Sequence, residues 1–441
     1  MRILVTGQCT LHWGRMEFGN IGNYYIAEPF FRELHRAFPS ATIRTTFQMS
    51  DGFCNAERVE CVPMDYYYGW KGNDLDNAYK ELSIATIYNE TKTLIDNTPY
   101  IKEVLASDLV VNFSGDIWGA NANLVGPNRF LVGLIKDRVV QLLGKPIVML
   151  AGSPGPFDKD STLPFAQEVF SNYMYVSNRE SVSKQVLLDF GFNVDKVVDA
   201  ACPAFLFEPA SQDSIKKYLI GTPLENKEQP VVGFILCGWN LLRGPFSRTD
   251  WSDEEFEQYV EAITFLIKKY RVKVCLLSHS NGFELPPHFK PIRGRDFPLV
   301  KRLYDILKRT DIAEDVYLYD GVYTPKETKA IIANFDMLIS GRVHGAVAGL
   351  SQNIPTVIID YGHEPKAHKL RGFAQVAGLE KYLANPADVE QIKNVIENCW
   401  IDKDQIHNFL EQRNKNYIKP LVQRQFDDVS KLYFSQNNRT F

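Results

Sequence analysis

This sequence of 441 residues lacks any run of about 18 apolar residues, so it offers no candidate for a membrane-spanning helix. It also lacks an excess of positive charge, because 49 Lys and Arg stand against 53 Asp and Glu. A chain with that balance has no basic field for a phosphate backbone, which argues against a nucleic-acid partner. The opening MRILVTGQCT is typical of a buried strand and a glycine turn, and a signal peptide would carry a longer apolar region and a cleavage site.

Motifs for metals, nucleotides and hydrolase nucleophiles are missing as well. The seven Cys residues are scattered without a C-x-x-C pair, which predicts reduced core thiols in a cytosolic protein. The eight His residues lack H-E-x-x-H, and no acidic cluster has the spacing of a cation cage. G-x-G-x-x-G, G-x-x-x-x-G-K-[ST] and G-x-S-x-G are absent too. We therefore expect neither a metal site nor a cofactor.

Short apolar runs alternate with longer segments of helical periodicity in two series, separated by the polar stretch 208–230. Parallel strands need crossovers of about a dozen residues, usually helices, so this alternation predicts two α/β domains with parallel sheets. We expect Rossmann-like domains at 1–210 and 228–401 that face a central cleft, an arrangement that resembles glycosyltransferase-B enzymes. A polar helical tail, 402–441, follows them.

The predicted strands are short and apolar. They are Arg2–Thr6, Asp108–Phe113, Pro146–Ala151, Tyr173–Ser177 and Lys196–Asp199 in the first series, and Val231–Cys237, Lys273–Leu277, Val316–Leu318, Met337–Ile339 and Thr356–Ile359 in the second. Helical spacing is clearest over Tyr25–Ala37, Phe130–Leu143, Asp253–Tyr270 and Val300–Thr310. Ligands of such sheets bind at the carboxyl ends of the strands, so the residues there are the candidates for a site.

One predicted strand end, within 335–361, carries the most informative residues. Arg342, Val343, His344 and Gly345 open a helix directly after a strand. A helix N-terminus presents unpaired N–H groups and a partial positive charge, so the added cations would suit a phosphate or a carboxylate. His344 could also transfer protons near neutral pH. The alternative is that Arg342 pairs with a buried acid and that His344 caps a loop.

Other strand ends carry further candidates. In the second half, His279 follows the strand 273–277 and Arg243 follows the strand 231–237; the alternatives are a loop histidine and a surface arginine. In the first half, amides, acids and an indole in Gly-rich turns would suit a sugar, although Asn and Gly also simply form turns. These candidates for sugar binding are Asn20, Asn23, Asp116, Trp118 and Asn121.

The pattern R-V-H-G-x-x-A-G-L-x-x-x-x-P-T-V-I-I-x-Y, from Arg342 to Tyr361, resembles the signature of the polysaccharide pyruvyltransferase family. The stretch 176–191 resembles the family's R-[DE]-x-x-S segment. Near the start, family members often carry N-x-G-D, where this chain has an amide, Asn23, in place of the acid. The family's lysine after the tyrosine corresponds to Lys366 or Lys369, and Lys369 fits the spacing better.

The resemblance implies transfer of the pyruvyl group of phosphoenolpyruvate to two hydroxyls of a glycan sugar, with formation of a cyclic ketal and release of phosphate. It implies a role in cell-surface polysaccharide biosynthesis without a cofactor. A lipid-linked acceptor would bring a cytoplasmic enzyme to the inner face of the membrane as a peripheral protein. Alternatives are a nucleotide-sugar glycosyltransferase of the same shape and a non-catalytic glycan-binding relative.

Roles for the candidate residues follow from that reaction. His344 would be the general acid or base, Arg342 would act on the donor, and Asp116 would activate an acceptor hydroxyl. The other candidates divide between the two substrates. Donor-binding residues would be Arg342, Val343, His344, Gly345, Lys369, Arg243 and His279, and acceptor-binding residues would be Asn20, Asn23, Asp116, Trp118 and Asn121.

Overall fold

The computed structural model describes residues 1–8, 10, 12–245, 247–285, 289–362 and 368–437. The chain divides into two compact units. The first comprises Met1–Trp13, Phe30–Cys202 and the residues from Leu421 onward, and the second comprises Gly14–Pro29 and Pro203–Pro420. The segment 14–29, which the sequence placed in the first domain, is therefore grouped with the second unit.

Within the described residues, the first unit is built on a seven-stranded parallel sheet with strand order β3-β2-β1-β4-β5-β6-β7. The strands are β1 (Arg2–Gly7), β2 (Thr42–Thr45), β3 (Val59–Cys61), β4 (Leu109–Phe113), β5 (Ile147–Gly152), β6 (Tyr175–Asn178) and β7 (Val197–Asp199). The central strands β4 and β5 are buried along their whole length, as expected for a parallel sheet covered on both faces.

The helices before residue 203 connect these strands. They are α1 (Ile21–Ala37), α2 (Asp51–Glu57), α3 (Asp74–Thr91), α4 (Pro99–Leu105), α5 (Arg129–Leu142), α6 (Thr162–Ser171) and α7 (Val182–Asp189). In the part of the chain that is described, no helix is both long and apolar enough to cross a bilayer.

The second unit, as far as it is described, holds a six-stranded parallel sheet with order β12-β9-β8-β13-β14-β15 and a separate antiparallel hairpin, β10–β11. The strands are β8 (Val231–Ile235), β9 (Lys273–Leu277), β10 (Asn281–Phe283), β11 (Pro291–Arg293), β12 (Val316–Tyr319), β13 (Met337–Ser340), β14 (Thr356–Ile359) and β15 (Leu383–Ala384). The later helices are α8 (Gln212–Leu219), α9 (Glu257–Tyr270), α10 (Phe297–Leu307), α11 (Pro325–Ile332), α12 (Val343–Leu350), α13 (His368–Ala377), α14 (Val389–Ile401), α15 (Lys403–Arg413) and α16 (Lys419–Asn437).

The prediction of two α/β domains with parallel sheets is confirmed, and each predicted strand lies where the apolar runs placed it. The strands β2, β3 and β15 were not predicted, because polar residues interrupt β2 and β3 and β15 has only two residues, so none of them forms an apolar run. The hairpin β10–β11 was also missed, and it becomes important for the site because it directly follows the carboxyl end of β9.

A buried carboxyl group lies inside the first unit. Asp137 on α5 is fully buried, and its Oδ2 accepts hydrogen bonds from Asn112 Nδ2 at 2.8 Å and from the Tyr173 hydroxyl at 2.6 Å. Burial raises the pKa of Asp137 to about 7, although both hydrogen bonds lower it. The folded unit therefore holds this carboxyl as the neutral acid over much of the acidic pH range.

We predict that Asp137→Asn makes the stability of the protein less dependent on pH. An unfolded Asp loses its proton near pH 3.9, whereas the folded Asp137 keeps it to about pH 7. The folded state thus binds more protons in that interval, so stability falls as pH rises, by up to about 1.4 kcal/mol per pH unit. Urea unfolding at pH 5, 6, 7 and 8 should show a shallower decline in the variant; parallel curves would contradict this.

Candidate functional site

The carboxyl ends of three strands of the second sheet are joined by one buried amide. Asn240, which follows β8, donates from Nδ2 to the carbonyl oxygens of Gly341 (3.1 Å), Ile359 (3.3 Å) and Asp360 (3.2 Å). Its Oδ1 accepts the N–H of Cys237 at 2.8 Å. A Cβ on Gly341 would lie 2.1 Å from Asn240 Oδ1, so the approach requires glycine. These bonds fix the turn that leads into α12.

Arg342 leaves this turn and forms a buried ion pair. Its Nε and Nη2 donate to Oδ2 and Oδ1 of Asp296, each at 2.6 Å, in a bidentate arrangement. The exposed fractions of the two side chains are 10% and 3%. Burial lowers the pKa of Arg342, but the charge of Asp296 outweighs burial, so the pKa is raised and the guanidinium stays charged. Arg342 thus pairs with a buried acid. The sequence had offered this pairing as the alternative to a direct role of Arg342 in anion binding.

Two more arginines contribute positive charge near this pair. Burial and the charge of Arg342 lower the pKa of Arg15. Burial, followed by Arg342, also lowers the pKa of Arg295, to about 10. Both side chains have exposed surface, so they combine solvent access with close surrounding protein. The carboxylate of Asp296 acts on the pKa of Arg295 in the opposite direction. Three guanidinium groups gathered in one region would favour an anion.

His344 lies in the first turn of α12 and is half-buried. Its ring stands edge-on to that of Phe373, with centroids 6.0 Å apart. On the other side is the backbone of Gly22, where a Cβ would lie only 2.4 Å from His344 Nδ1. The first turn of α1 therefore packs directly against the imidazole.

The amides Asn20 and Asn23 build the turn that opens α1. The side chain of Asn20 accepts the N–H of Gly22 at 3.2 Å, and its carbonyl accepts the N–H of Asn23 at 2.9 Å. The structure therefore places both predicted acceptor residues in the same unit as His344. The N-terminal turns of α1 and α12 both meet this histidine, and their partial positive charges add to those of the arginines.

His279 is completely buried beyond β9, and neither of its ring nitrogens has a hydrogen-bond partner among the described residues. Its ring stands edge-on to the ring of Tyr25, with centroids 5.3 Å apart. Burial, and then the charge of Arg342, lower the pKa of His279 to about 3. The side chain is therefore a neutral imidazole at physiological pH.

The remaining donor candidates lie in different surroundings. Gly345 and Val343 are in the first turn of α12, and Lys369 is buried in the first turn of α13. Arg243 is exposed in the loop after Asn240. Lys366 lies outside the described residues.

The other sugar-binding candidates belong to the first unit. Trp118 is 4% exposed and packs among aromatic rings such as that of Phe157, with centroids 5.7 Å apart. Asn121 is buried and donates to the carbonyl of Gly155 at 3.3 Å. Asp116 is half-buried in the turn after β4. The surroundings of Trp118 are those of a core residue, so they favour packing over stacking on a sugar.

The R-E-x-x-S segment of the first unit has a local structural explanation. Glu180 is buried and accepts hydrogen bonds from the N–H of Ser183, at 3.0 Å, and from its hydroxyl. The preceding Arg179 donates from Nε to the hydroxyl of Ser153 at 2.8 Å. These contacts secure the start of α7. Elsewhere in the described chain, no group of three His, Cys, Asp or Glu side chains is placed to hold a metal ion.

Sequence reasoning missed Asp296 and Arg295 and did not single out Arg15 for the donor. A signal was present in the stretch Arg293–Asp296, R-G-R-D, which puts two arginines and an acid beside a glycine just before a helix. The contact of this stretch with Arg342 could not be predicted from the sequence, because the hairpin that precedes Asp296 was not predicted.

Comparison with known proteins identifies the family of this chain. The sequence profile of the family described as Polysaccharide pyruvyl transferase matches residues 20–363. The amylovoran biosynthesis protein AmsJ of Erwinia amylovora is 23% identical over 307 residues, which cover 69% of each chain. The range that the family profile matches includes Asn20, Asp296, Arg342 and His344.

Solved structures with the same fold include glycosyltransferases and epimerases. A glycosyltransferase from Rickettsia africae has a TM-score of 0.58 at 13% identity and covers 98% of both chains. Anabaena HepE in complex with UDP and glucose has a TM-score of 0.53 at 12% identity, covering 99% of this chain and 100% of HepE. UDP-GlcNAc 2-epimerase from Neisseria meningitidis, bound to UDP-GlcNAc, has a TM-score of 0.52 at 11% identity, covering 99% of this chain and 100% of the epimerase. These similarities confirm the glycosyltransferase-B-like fold and carry no more than the fold.

We predict that Asp296→Asn destabilises the protein by about 3–5 kcal/mol, because it leaves the buried Arg342 guanidinium without its counter-ion. Asp305→Asn, on the adjoining helix α10, is the matched control, since the ion pair of Asp305 with Lys301 is exposed and contributes about 1 kcal/mol or less. Urea unfolding of the two variants measures the difference. Equal midpoints would contradict a structural role for the buried pair.

We also predict opposite effects for alanine at two equivalent helix positions. Gly22 and Gly52 are each the second residue of a helix, α1 and α2. A Cβ on Gly52 would lie 3.8 Å from its nearest neighbour, Ser50 Oγ, so Gly52→Ala should be neutral or stabilise by up to about 1 kcal/mol. Gly22→Ala should lower the unfolding temperature, because its methyl group collides with His344. The added variant His344→Ala should restore part of the loss, and simple additivity of the two changes would contradict the contact.

Proposed function

This chain belongs to the polysaccharide pyruvyl transferase family, and from that premise we propose that it transfers the pyruvyl group of phosphoenolpyruvate to two hydroxyls of one glycan sugar. The product is a cyclic ketal, and phosphate is released. The observation that carries the proposal is the positive charge of Arg15, Arg295 and Arg342 beside the helix N-termini at His344, opposed by the carboxylate of Asp296.

The donor has the chemistry that such a site would select. Phosphoenolpyruvate carries its carboxylate and its phosphate on the same carbon atom, so it needs more than one cation. Guanidinium groups suit both anions, because each offers two parallel N–H donors. Since Nε and Nη2 of Arg342 are held by Asp296, we assign the direct contacts to Arg15 and Arg295, with the N–H groups that open α12. Arg342 then acts through its charge and by fixing Asp296.

The reaction needs proton transfers that His344 is placed to perform. The methylene carbon of the donor gains a proton, one sugar hydroxyl adds to the neighbouring carbon, phosphate leaves, and the second hydroxyl closes the ring. Two protons leave the hydroxyls and one is taken up by the methyl group, so the other departs with the phosphate. General acid–base catalysis of such steps contributes about 10²–10⁴-fold. We assign it to His344, whose half-buried ring faces Gly22.

Several earlier candidates keep supporting roles in the proposal. His279, neutral at physiological pH, would hydrogen-bond within the donor site without adding charge. Lys369 and Arg243 stay proposed donor contacts, and Asp116 stays the proposed activator of an acceptor hydroxyl. Asn20 and Asn23 stay proposed acceptor contacts, supported by their position beside Gly22 and His344.

The similarity to AmsJ, a protein of amylovoran biosynthesis, supports an acceptor that belongs to an exopolysaccharide. We propose that this protein acts in the cytoplasm on a glycan that is assembled on a lipid carrier. It would then work as a peripheral protein at the inner face of the membrane.

We predict that millimolar phosphoenolpyruvate raises the unfolding temperature of the wild-type protein and that Arg15→Ala or Arg295→Ala abolishes most of the shift. A ligand that binds only the folded state at about 100 times its dissociation constant stabilises it by about 2.7 kcal/mol. Arg293→Ala is the matched control. Arg293 lies two residues before Arg295, at the end of the hairpin β10–β11, and its exposed side chain pairs with Asp320. Its response to the donor should equal that of wild type.

Two results would count against the proposal. Shifts that persist in both arginine variants would remove Arg15 and Arg295 from the donor site. A wild-type protein that ignores phosphoenolpyruvate but is stabilised by a uridine or guanosine diphosphate sugar would instead favour a glycosyltransferase.

A further inference from the structure

A cluster of phenylalanine rings lies beside Arg15 in the second unit. Phe283 ends β10, and Phe289 follows in the same hairpin, with the two rings stacked at a centroid distance of 5.7 Å. Phe18 approaches Phe289 at 5.5 Å from the π-helical turn Arg15–Gly19. All three side chains are half-buried, in contrast to the fully packed aromatic rings around Trp118.

Two glycines let the rings lie directly on the backbone of that turn. A Cβ on Gly14 would lie 2.4 Å from Phe289 Cε2, and a Cβ on Gly19 would lie 3.4 Å from Phe283 Cε1. The same Cβ on Gly19 would be 3.1 Å from Arg15 Cδ. A side chain at Gly14 would push the ring of Phe289 away, so that contact depends on glycine, whereas a Cβ on Gly19 would require only a small shift of Arg15.

The segment 14–23 therefore connects the rings with the chemistry of the site. Its first residues touch the phenylalanines, Arg15 shares the positive field of Arg342, and Gly22 packs on His344. Between them, Asn20 turns the chain into α1. The hairpin is connected in the same way, because it begins after His279 and ends just before Arg295 and Asp296. The aromatic cluster and the proposed donor site thus share the segment 14–23 and the residues that flank the hairpin.

A pyranose ring matches this arrangement of groups. Its C–H faces are apolar and pack on aromatic rings, while its hydroxyls need polar partners at the edge of the ring. Phenyl rings provide the first kind of surface, and Arg15 lies beside them to provide the second. The donor is small and carries two anionic groups, so it gains little from an aromatic surface next to its site. That surface therefore suits the second substrate, the sugar.

We propose that Phe18, Phe283 and Phe289 form the platform on which the acceptor sugar stacks, with the hydroxyl pair directed toward His344. This inference rests on the proposed function, since it names the binding surface of the acceptor in that reaction. It places sugar stacking on the second unit, in contrast to the sequence-based assignment to Trp118.

The test compares leucine and tyrosine at two platform positions. Saturation-transfer NMR with the methyl glycosides of glucose, galactose and mannose measures sugar binding by wild type, Phe283→Leu, Phe289→Leu and Phe289→Tyr. At least one glycoside should bind wild type, and the leucine variants should weaken its signal at least about fivefold, because they keep the apolar volume but remove the ring. Phe289→Tyr should retain binding. Phe409→Leu, an exposed phenylalanine on α15 in the same unit, should match wild type.

The unfolding-temperature shift with phosphoenolpyruvate is measured on the same variants and should stay at the wild-type value. Leucine variants that bind the glycoside as wild type does would overturn the platform, as would a wild-type protein that binds none of the three. A loss of the donor shift together with sugar binding would also overturn it, because the rings would then only support the fold. Intact, ring-dependent sugar binding in a protein that ignores phosphoenolpyruvate would uphold the platform and refute the proposed donor.

Discussion

The buried ion pair between Arg342 and Asp296 is the interaction on which the second unit's site depends. It connects the carboxyl end of β13 with the start of α10, so it holds together two elements that are 46 residues apart in the chain. A single buried charge would be costly, and the bidentate geometry offsets much of that cost. Asn240 supports the same corner by joining the ends of β8, β13 and β14.

This pair also sets the electrostatics around it. Asp296 neutralises the guanidinium of Arg342, and we propose that Arg15 and Arg295 contact the donor. Burial, together with the charge of Arg342, keeps His279 neutral, so that side chain can act only as a hydrogen-bonding group. His344 lies at the first turn of the helix that Arg342 caps, where Gly22 fixes its ring. Fold stability and the proposed chemistry thus depend on the same few contacts.

The sequence was sufficient for the main features of the fold. Apolar runs located the long strands, and the helical spacing between them required parallel pairing. The R-x-H turn was found correctly at a strand-to-helix junction. The strands β2 and β3 could not be found, because polar residues interrupt them and neither forms an apolar run.

The site was only partly accessible from the sequence, for a physical reason. Candidate residues were chosen because they followed predicted strands, and Asp296, Arg295, Phe283 and Phe289 belong to a hairpin and a loop with no such signal. Trp118 was chosen for its residue type, and its burial among other rings could not be foreseen without the tertiary packing. The placement of segment 14–29 in the second unit is likewise a property of the folded chain, not of local sequence.

The most direct measurement is the reaction itself. Purified protein is incubated in heavy water with phosphoenolpyruvate and the lipid-linked or polymeric glycan of its own source, and phosphate and glycan are followed by NMR. The account predicts that phosphate appears only when both substrates are present, and that the glycan gains a ketal methyl group carrying deuterium from the solvent. Phosphate release without modification of the glycan, or glycan extension that requires a nucleotide sugar and ignores phosphoenolpyruvate, would contradict it.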